Sequence, residues 1–214
     1  MLKFIATTRF NNETWTENQD FIKEYTNTNP SKTSKPIRCI YPVSHIIQAV
    51  SKNSVFYILE MNNQTNKIMG IGLVKNIPIY NKYNVYKKPS YNQFAYVGYY
   101  RIDRKDMNEL EEVIMRVFDY YCFKGKTHLK RLKGIKLFPK KILDKCDSIL
   151  DLLEFITKMF LRHQSPGLTI TEEYPIKTLH TPTTPTPHPV QDPPVTHSTQ
   201  NPIKLTITKR KKIY

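Results

Sequence analysis

Basic side chains concentrate in one segment of the sequence, residues 124–145 (KGKTHLKRLKGIKLFPKKILDK). This basic segment holds nine Lys or Arg residues and one acidic residue, Asp144. Lysine and arginine attract phosphate oxygens and release counterions, while Gly, Thr and His allow close approach or offer neutral donors. The residues predicted to contact a nucleic-acid backbone are Lys124, Lys126, Thr127, His128, Lys130, Arg131 and Lys133. A solvated charged surface is the alternative interpretation.

Aromatic residues form a second group whose side chains could bind a ligand. Trp15 and Tyr41 stand among polar residues at the edges of predicted elements, and residues 77–92 form a loop with four tyrosines and three lysines. Exposed rings beside basic side chains stack on unpaired bases. Tyr96 and Tyr100 share a strand face, and for these two a half-buried core position is favoured.

Catalytic and metal-binding signatures are not found in the sequence. There is no G-x-S-x-G, no glycine-rich phosphate loop and no His or Cys pair at metal-ligand spacing. The adjacent Glu111 and Glu112 are expected on a solvated helix face. Cys39, Cys122 and Cys146 are expected to be reduced and structural. We therefore expect no catalytic residue, no metal and no cofactor, and a protein that is not an enzyme.

Charge and composition narrow the class of partner. Residues 1–163 carry 27 basic and 15 acidic side chains, and the whole chain has a net charge of +15. No run of 18 apolar residues and no amino-terminal signal pattern is present, so an intracellular protein, cytoplasmic or nuclear, without a membrane partner is expected. The excess of basic over acidic side chains favours an acidic partner such as nucleic acid.

Short strands and helices are expected to position these residues. Strand patterns cover residues 2–7, 37–41, 54–61, 67–76, 93–104 and 132–138, and helical patterns cover 11–25, 44–50, 106–121 and 148–161. Residues 54–61 and 67–76 read as a hairpin, in which Gly70 and Gly72 would admit a neighbouring backbone or a flat side chain. The order predicts an α+β domain with a small, mostly antiparallel sheet.

From residue 164 the composition changes. Nine of the 15 prolines follow Gln164, in a Pro/Thr tract that lacks the apolar surface of a core. The sequence therefore predicts a domain over residues 1–163 and a disordered tail over residues 164–214. The tail carries a basic cluster, Lys209, Arg210, Lys211 and Lys212, which would reach phosphates or serve in nuclear localisation.

The segments LKFIAT, NNETWTENQDFIKEY and IRCIYPVSHI and the hairpin SVFYILEM/KIMGIGLVKN together resemble the EVE and YTH branch of the PUA-like fold. The later HLKRLKGIKLF followed by PKKIL is similar to the closing strand of such domains. The resemblance spans residues 1–163 and implies a small β-barrel, flanked by helices, that binds RNA or DNA and holds one flipped, often modified, base.

By position, the resemblance assigns Trp15, Tyr41, Ser44 and His45 to the base pocket. YTH readers of N6-methyladenine use several tryptophans and this chain has only Trp15, so EVE-like or other PUA-like binding fits better. The sequence thus predicts a nucleic-acid-binding protein, RNA favoured, with its oligomeric state open. One alternative is a nuclease resembling the ASCH group, in which His128, Lys130 and Arg131 act on phosphate. Another is a structural or interaction protein, for example of a virus, whose basic surface reads no bases.

Overall fold

The computed structural model describes residues 1–28, 35–126, 128–131 and 133–164. These residues form eight strands and four α-helices, with 3₁₀ turns at Pro89–Tyr91 and Arg104–Asp106. In chain order the elements are β1 (Lys3–Phe10), α1 (Asn12–Thr28), β2 (Cys39–Val43), β3 (Val55–Asn62), β4 (Lys67–Lys75), β5 (Ile79–Tyr80), β6 (Phe94–Gly98), β7 (Tyr100–Asp103), α2 (Glu109–Phe123), β8 (Lys136–Leu137), α3 (Lys140–Asp147) and α4 (Leu152–Gln164). The α+β class and the hairpin of β3 and β4 are confirmed.

The larger sheet has five strands in the order β7-β4-β3-β1-β8. β1 runs parallel to β3, and the other pairs are antiparallel. Its central strands are apolar on both faces, because each face is covered. Tyr57 and Leu59 of β3 pack with α2 and α4, whereas Phe56 and Ile58 of the same strand face the second sheet.

The smaller sheet has three strands in the order β2-β6-β5, all antiparallel. One face contributes Tyr41, Val43 and Tyr96 to the core between the sheets. The other face packs against α1, whose half-buried Phe21 and Ile22 contact the buried cluster on this side. The layers are thus α2 and α4, the five-stranded sheet, the three-stranded sheet, and α1.

The expectation of a closed barrel is wrong for the described residues. The strands divide into two sheets, and the chain passes from one to the other at Tyr99, between β6 and β7. The edge strands β5 and β8 contain only two residues each. Strands of this length offer too few backbone hydrogen bonds to join the remaining edges into a cylinder.

A glycine at position 72 permits the close approach of the two sheets. A Cβ atom there would lie within 1.8 Å of the Tyr41 hydroxyl oxygen, and one at Gly70 would lie 2.7 Å from the carbonyl oxygen of Ile102. The expectation that these strand glycines admit a side chain or a neighbouring backbone is confirmed.

Helix boundaries depart from the sequence pattern in several places. α2 begins at Glu109, three residues after the start of the predicted helical pattern, because Asn108 and Glu111 form a capping box there. Residues 44–50 contain neither helix nor strand, and the sequence pattern does not predict α3. No helix among the described residues is long and apolar enough to cross a membrane.

Candidate nucleic-acid interface

A cavity of about 340 Å³ opens where β1 and β2 end. Four segments surround it, residues 8–14, 42–44, 86–91 and 133–134, together with Asn63 from the β3–β4 turn. The lining therefore draws on both sheets and on the basic segment. Strand ends and loops of this kind are where a rigid fold places its binding groups.

Two tyrosines, Tyr86 and Tyr91, stand on one side of the cavity. The buried side chain of Asn92 fixes their loop, since its Oδ1 accepts from the Tyr86 amide at 3.0 Å and its Nδ2 donates to the Tyr86 carbonyl at 2.7 Å. The two ring centroids are 6.3 Å apart with perpendicular planes. Tyr91 is 43% exposed, and the Lys88 ammonium lies 5.0 Å from its centroid. The loop thus presents an aromatic ring beside a cation in a fixed position.

The junction of β1 and α1 forms another part of the cavity lining. The Asn11 side chain caps α1, since its Oδ1 accepts from the Thr14 amide and the Thr14 hydroxyl, both at 2.7 Å. Phe10 is buried and meets the Trp15 ring edge-on at 5.1 Å. Phe10 lines the cavity, whereas Trp15 packs behind it. The tryptophan therefore supports the wall and does not form its surface.

A polar cluster ties the basic segment to this wall. The Lys130 carbonyl accepts from Arg9 Nη1 at 3.0 Å and from Asn63 Nδ2 at 3.1 Å, and the Lys130 ammonium donates to Asn66 at 2.7 Å. The Asn63 amide oxygen is buried and has no hydrogen-bond partner among the described residues. The contribution of Asn63 to the site is therefore to hold the Lys130 backbone beside the cavity wall.

The electrostatic character of the cavity is positive. Arg9 and Lys133 line it, and both are exposed. No carboxylate is found among its described lining residues. An anion approaching the cavity therefore meets two cations without a competing negative charge at the wall.

The predicted pocket residues fall in different environments. Ser44 is half-buried and lines the cavity, and His45 is exposed next to it in the chain. Tyr41 is only 1% exposed, and its hydroxyl donates to Glu60 Oε1 at 2.7 Å. Burial raises the pKa of this phenol well above its ordinary value. The structure thus brings one of the four predicted residues, Ser44, to the cavity surface, with Trp15 packed behind the wall.

Beneath Trp15 lies a buried charged cluster that no sequence pattern predicts. Arg101 donates to both Glu60 oxygens at 2.8–3.0 Å and to Asp103 at 3.0 Å. Its guanidinium carbon lies 5.6 Å from the centre of the Trp15 ring. Glu60 belongs to the five-stranded sheet and accepts from Tyr41 of the other sheet, so the cluster connects the two sheets.

The predicted backbone-contacting residues surround the cavity only in part. Lys133 lines it, Lys130 is held beside it through its carbonyl, and Lys124, Lys126 and Arg131 are exposed. His128 is half-buried, and its Nδ1 has no partner among the described residues. The remaining predicted residues lie outside the described residues: Thr127 and the tail cluster Lys209, Arg210, Lys211 and Lys212.

Sequence reasoning does not assign Tyr86, Tyr91, Asn63 or Arg9 to the pocket. For the tyrosines a signal is present, since residues 77–92 combine four tyrosines with three lysines. That signal does not show that Asn92 folds this loop over the end of β2. Asn63 and Arg9 carry no comparable local signal, because only the fold brings them to Lys130.

Within the described part of the chain, no group of three or more His, Cys, Asp or Glu side chains is arranged to hold a metal ion. The cavity therefore offers rings, amides, hydroxyls and cations, which are the groups that bind a flat polar ligand bearing negative charge.

In comparisons with known proteins, the chain matches no protein-family model and has no significant match among curated protein sequences.

Proposed function

We propose that the protein binds single-stranded nucleic acid, RNA in preference to DNA, and holds one unpaired base in the cavity. The observation that carries the proposal is a cavity of about 340 Å³ whose lining combines tyrosine rings with Arg9 and Lys133. Ligand-binding pockets range from about 300 to 1,000 Å³, so the space suits one small flat ligand.

Tyr91 is the residue proposed to stack on the base. Its ring is exposed, and the Asn92 hydrogen bonds order its loop before any ligand arrives. A ring that is already positioned loses little conformational entropy on binding. Stacking of a base on such a ring contributes roughly 1–3 kcal/mol and does not depend strongly on which base is bound.

Ser44 is proposed to contact the polar edge of the base. Its side chain is half-buried and lines the cavity. A serine hydroxyl both donates and accepts hydrogen bonds, so it can contact either a donor or an acceptor on the base.

Arg9 and Lys133 are proposed to contact the phosphates that flank the base, and Lys130 and Arg131 extend the same cationic surface along the chain. These ion pairs give affinity without base preference, and they weaken as salt rises. Base capture and backbone attraction therefore belong to different residues and can be separated by mutation.

An EVE-like or other PUA-like relationship is part of this proposal. It is supported by the order β1, α1, β2 and the hairpin of β3 and β4, and by a cavity that uses residues 8–14 and 42–44. These two segments include Ser44 and lie next to Trp15, Tyr41 and His45, the residues that the resemblance assigns to its pocket.

The test measures the affinity for a labelled single-stranded RNA over a range of salt concentrations. We expect Tyr91→Ala to lower affinity about tenfold or more without changing the salt slope, because it removes stacking and no charge. Replacing Lys130, Arg131 and Lys133 together by Ala should reduce the slope by roughly 0.7 for each phosphate that the variant no longer neutralises.

The matched control is Tyr120→Ala, since Tyr120 is also exposed, at 58%, but belongs to α2 and does not line the cavity. If Tyr91→Ala and Tyr120→Ala have the same small effect while the triple variant still lowers the slope, the protein binds only the nucleic-acid backbone. Cleavage of the RNA by the wild-type protein would instead favour the alternative that the protein is a nuclease.

A further inference from the structure

A second concavity, here called the groove, encloses about 420 Å³ beside α3. It lies between the start of β1, residues 137–138 and the helices α3 and α4. Its apolar lining includes the half-buried side chains of Phe4, Leu137, Leu143 and Leu153. Apolar side chains that remain partly accessible in a concave site are typical of a surface that binds a partner.

The groove also reaches an edge of the five-stranded sheet. β8 is the edge strand and pairs with β1 only at Ala6 and Thr7, and the Phe138 amide donates to the Ile5 carbonyl at 2.9 Å. Backbone groups two residues apart in a strand point the same way. The Lys3 backbone therefore points past the end of β8 into the groove, where an extended segment can pair with it.

Carboxylates stand around the apolar lining. Asp144, Asp147 and Asp151 line the groove with Lys3 and Lys140, a net charge of −1 on a chain of net charge +15. Lys140 bridges Asp144 at 2.9 Å, and Asp147 and Asp151 have no cation within 4 Å among the described residues. Asp147 is exposed. The groove is thus locally acidic on a basic protein.

We propose that the groove binds an extended segment of a partner protein in which apolar residues alternate with Lys or Arg. The segment backbone would pair with Lys3. The apolar side chains would then pack beside Phe4 and Leu137, on the face of the large sheet that is turned toward the smaller sheet, and the basic side chains would meet Asp147 and Asp151 on the face that carries the helices. Addition of a strand at a sheet edge combines backbone hydrogen bonds with pockets for alternate side chains. Phosphate is disfavoured here by the same carboxylates.

The test uses two labelled heptapeptides with the same alternating apolar residues, one with lysines between them and one with glutamates. The positive net charge of the protein favours the glutamate peptide everywhere except at the groove. We expect the lysine peptide to bind about tenfold tighter in fluorescence anisotropy at physiological salt. Its binding should also slow amide hydrogen exchange over residues 3–5.

Asp147→Lys should abolish this preference, and Asp106→Lys, the same charge change at an exposed site outside the groove, should preserve it. Phe4→Ala should weaken binding of both peptides, because it removes an apolar contact without changing the charge of the groove. Equal or tighter binding of the glutamate peptide, an equal effect of the two lysine substitutions, or failure of both peptides to bind would each overturn the proposal. RNA affinity is unaffected by these outcomes, so the two proposals are tested independently.

Discussion

The cavity under the 86–92 loop and the groove beside α3 enclose about 340 and 420 Å³, and they differ in what surrounds them. The cavity has Arg9 and Lys133 in its lining and no described carboxylate. The groove has three aspartates around leucine and phenylalanine side chains. Net charge alone would assign both surfaces to acidic partners. The local charges instead favour an anionic partner at the cavity and a cationic partner at the groove.

The two sites also differ in how the fold holds them. The cavity wall depends in part on polar groups: the Asn92 side chain orders the tyrosine loop, and the Arg101 guanidinium lies under Trp15, on which Phe10 packs. The groove rests on apolar packing of α3 and α4 against the large sheet. Polar support is directional, so the removal of one partner should disturb the cavity far more than the groove.

The largest effect is expected from Glu60→Gln. The Glu60 and Arg101 side chains are 2% and 10% exposed, so the substitution leaves a buried guanidinium short of its main partner. Breaking a buried ion pair in this way costs about 3–5 kcal/mol of unfolding free energy, measurable by urea denaturation. The control Glu154→Gln removes an exposed carboxylate that pairs with Lys158 and should cost less than about 1 kcal/mol. Equal losses of stability in the two variants would mean that the cluster does not support the cavity.

A smaller loss of stability is expected from Asn92→Ala. The substitution removes both hydrogen bonds to the Tyr86 backbone, and we expect the unfolding free energy to fall by about 1–3 kcal/mol and RNA binding to weaken. Peptide binding at the groove should not change, because Asn92 does not line it. An Asn92→Ala protein that is less stable but binds RNA at full affinity would show that the order of the tyrosine loop is irrelevant to the cavity.

The central hairpin can be predicted from the sequence, whereas the second sheet cannot. Residues 54–61 and 67–76 are two mostly apolar runs on either side of a polar turn, and β3 and β4 form there within one residue of the predicted bounds. The pairing of these two strands depends on residues that are close in the sequence. The course of residues 37–50 depends on how the small sheet docks on the large one, and no local pattern encodes that.

Tyr41 illustrates why the pocket can be predicted only in part. Its place at the end of the predicted strand 37–41 suggests an edge position, yet it pairs with Tyr96 in β6 and lies over Gly72 of the other sheet. The exposed ring of the site is Tyr91, fixed by the adjacent Asn92. Which tyrosine is buried follows from contacts between sheets, and these are long-range in sequence.

Glu111 shows the same limit on a helix. The expectation that Glu111 and Glu112 lie on a solvated face is wrong for Glu111, which is fully buried. Although burial opposes its ionisation, hydrogen bonds from His163 and Arg162 lower the pKa of the carboxyl below its ordinary value. Both partners lie on α4, some 50 residues along the chain, so the spacing of residues within α2 could not reveal the burial.

The smallest effect is expected when a single lysine charge is removed, either from the cavity or from α3. Lys133→Ala and Lys141→Ala remove the same charge from exposed lysines, the first in the cavity lining and the second on α3. If the phosphates lie at the cavity, the salt slope of RNA binding should fall by roughly 0.7 for Lys133→Ala and stay unchanged for Lys141→Ala. Affinity measured at several salt concentrations gives both slopes. Equal slopes would mean that RNA responds to total charge, and the contrast between cavity and groove would then have no part in nucleic-acid binding.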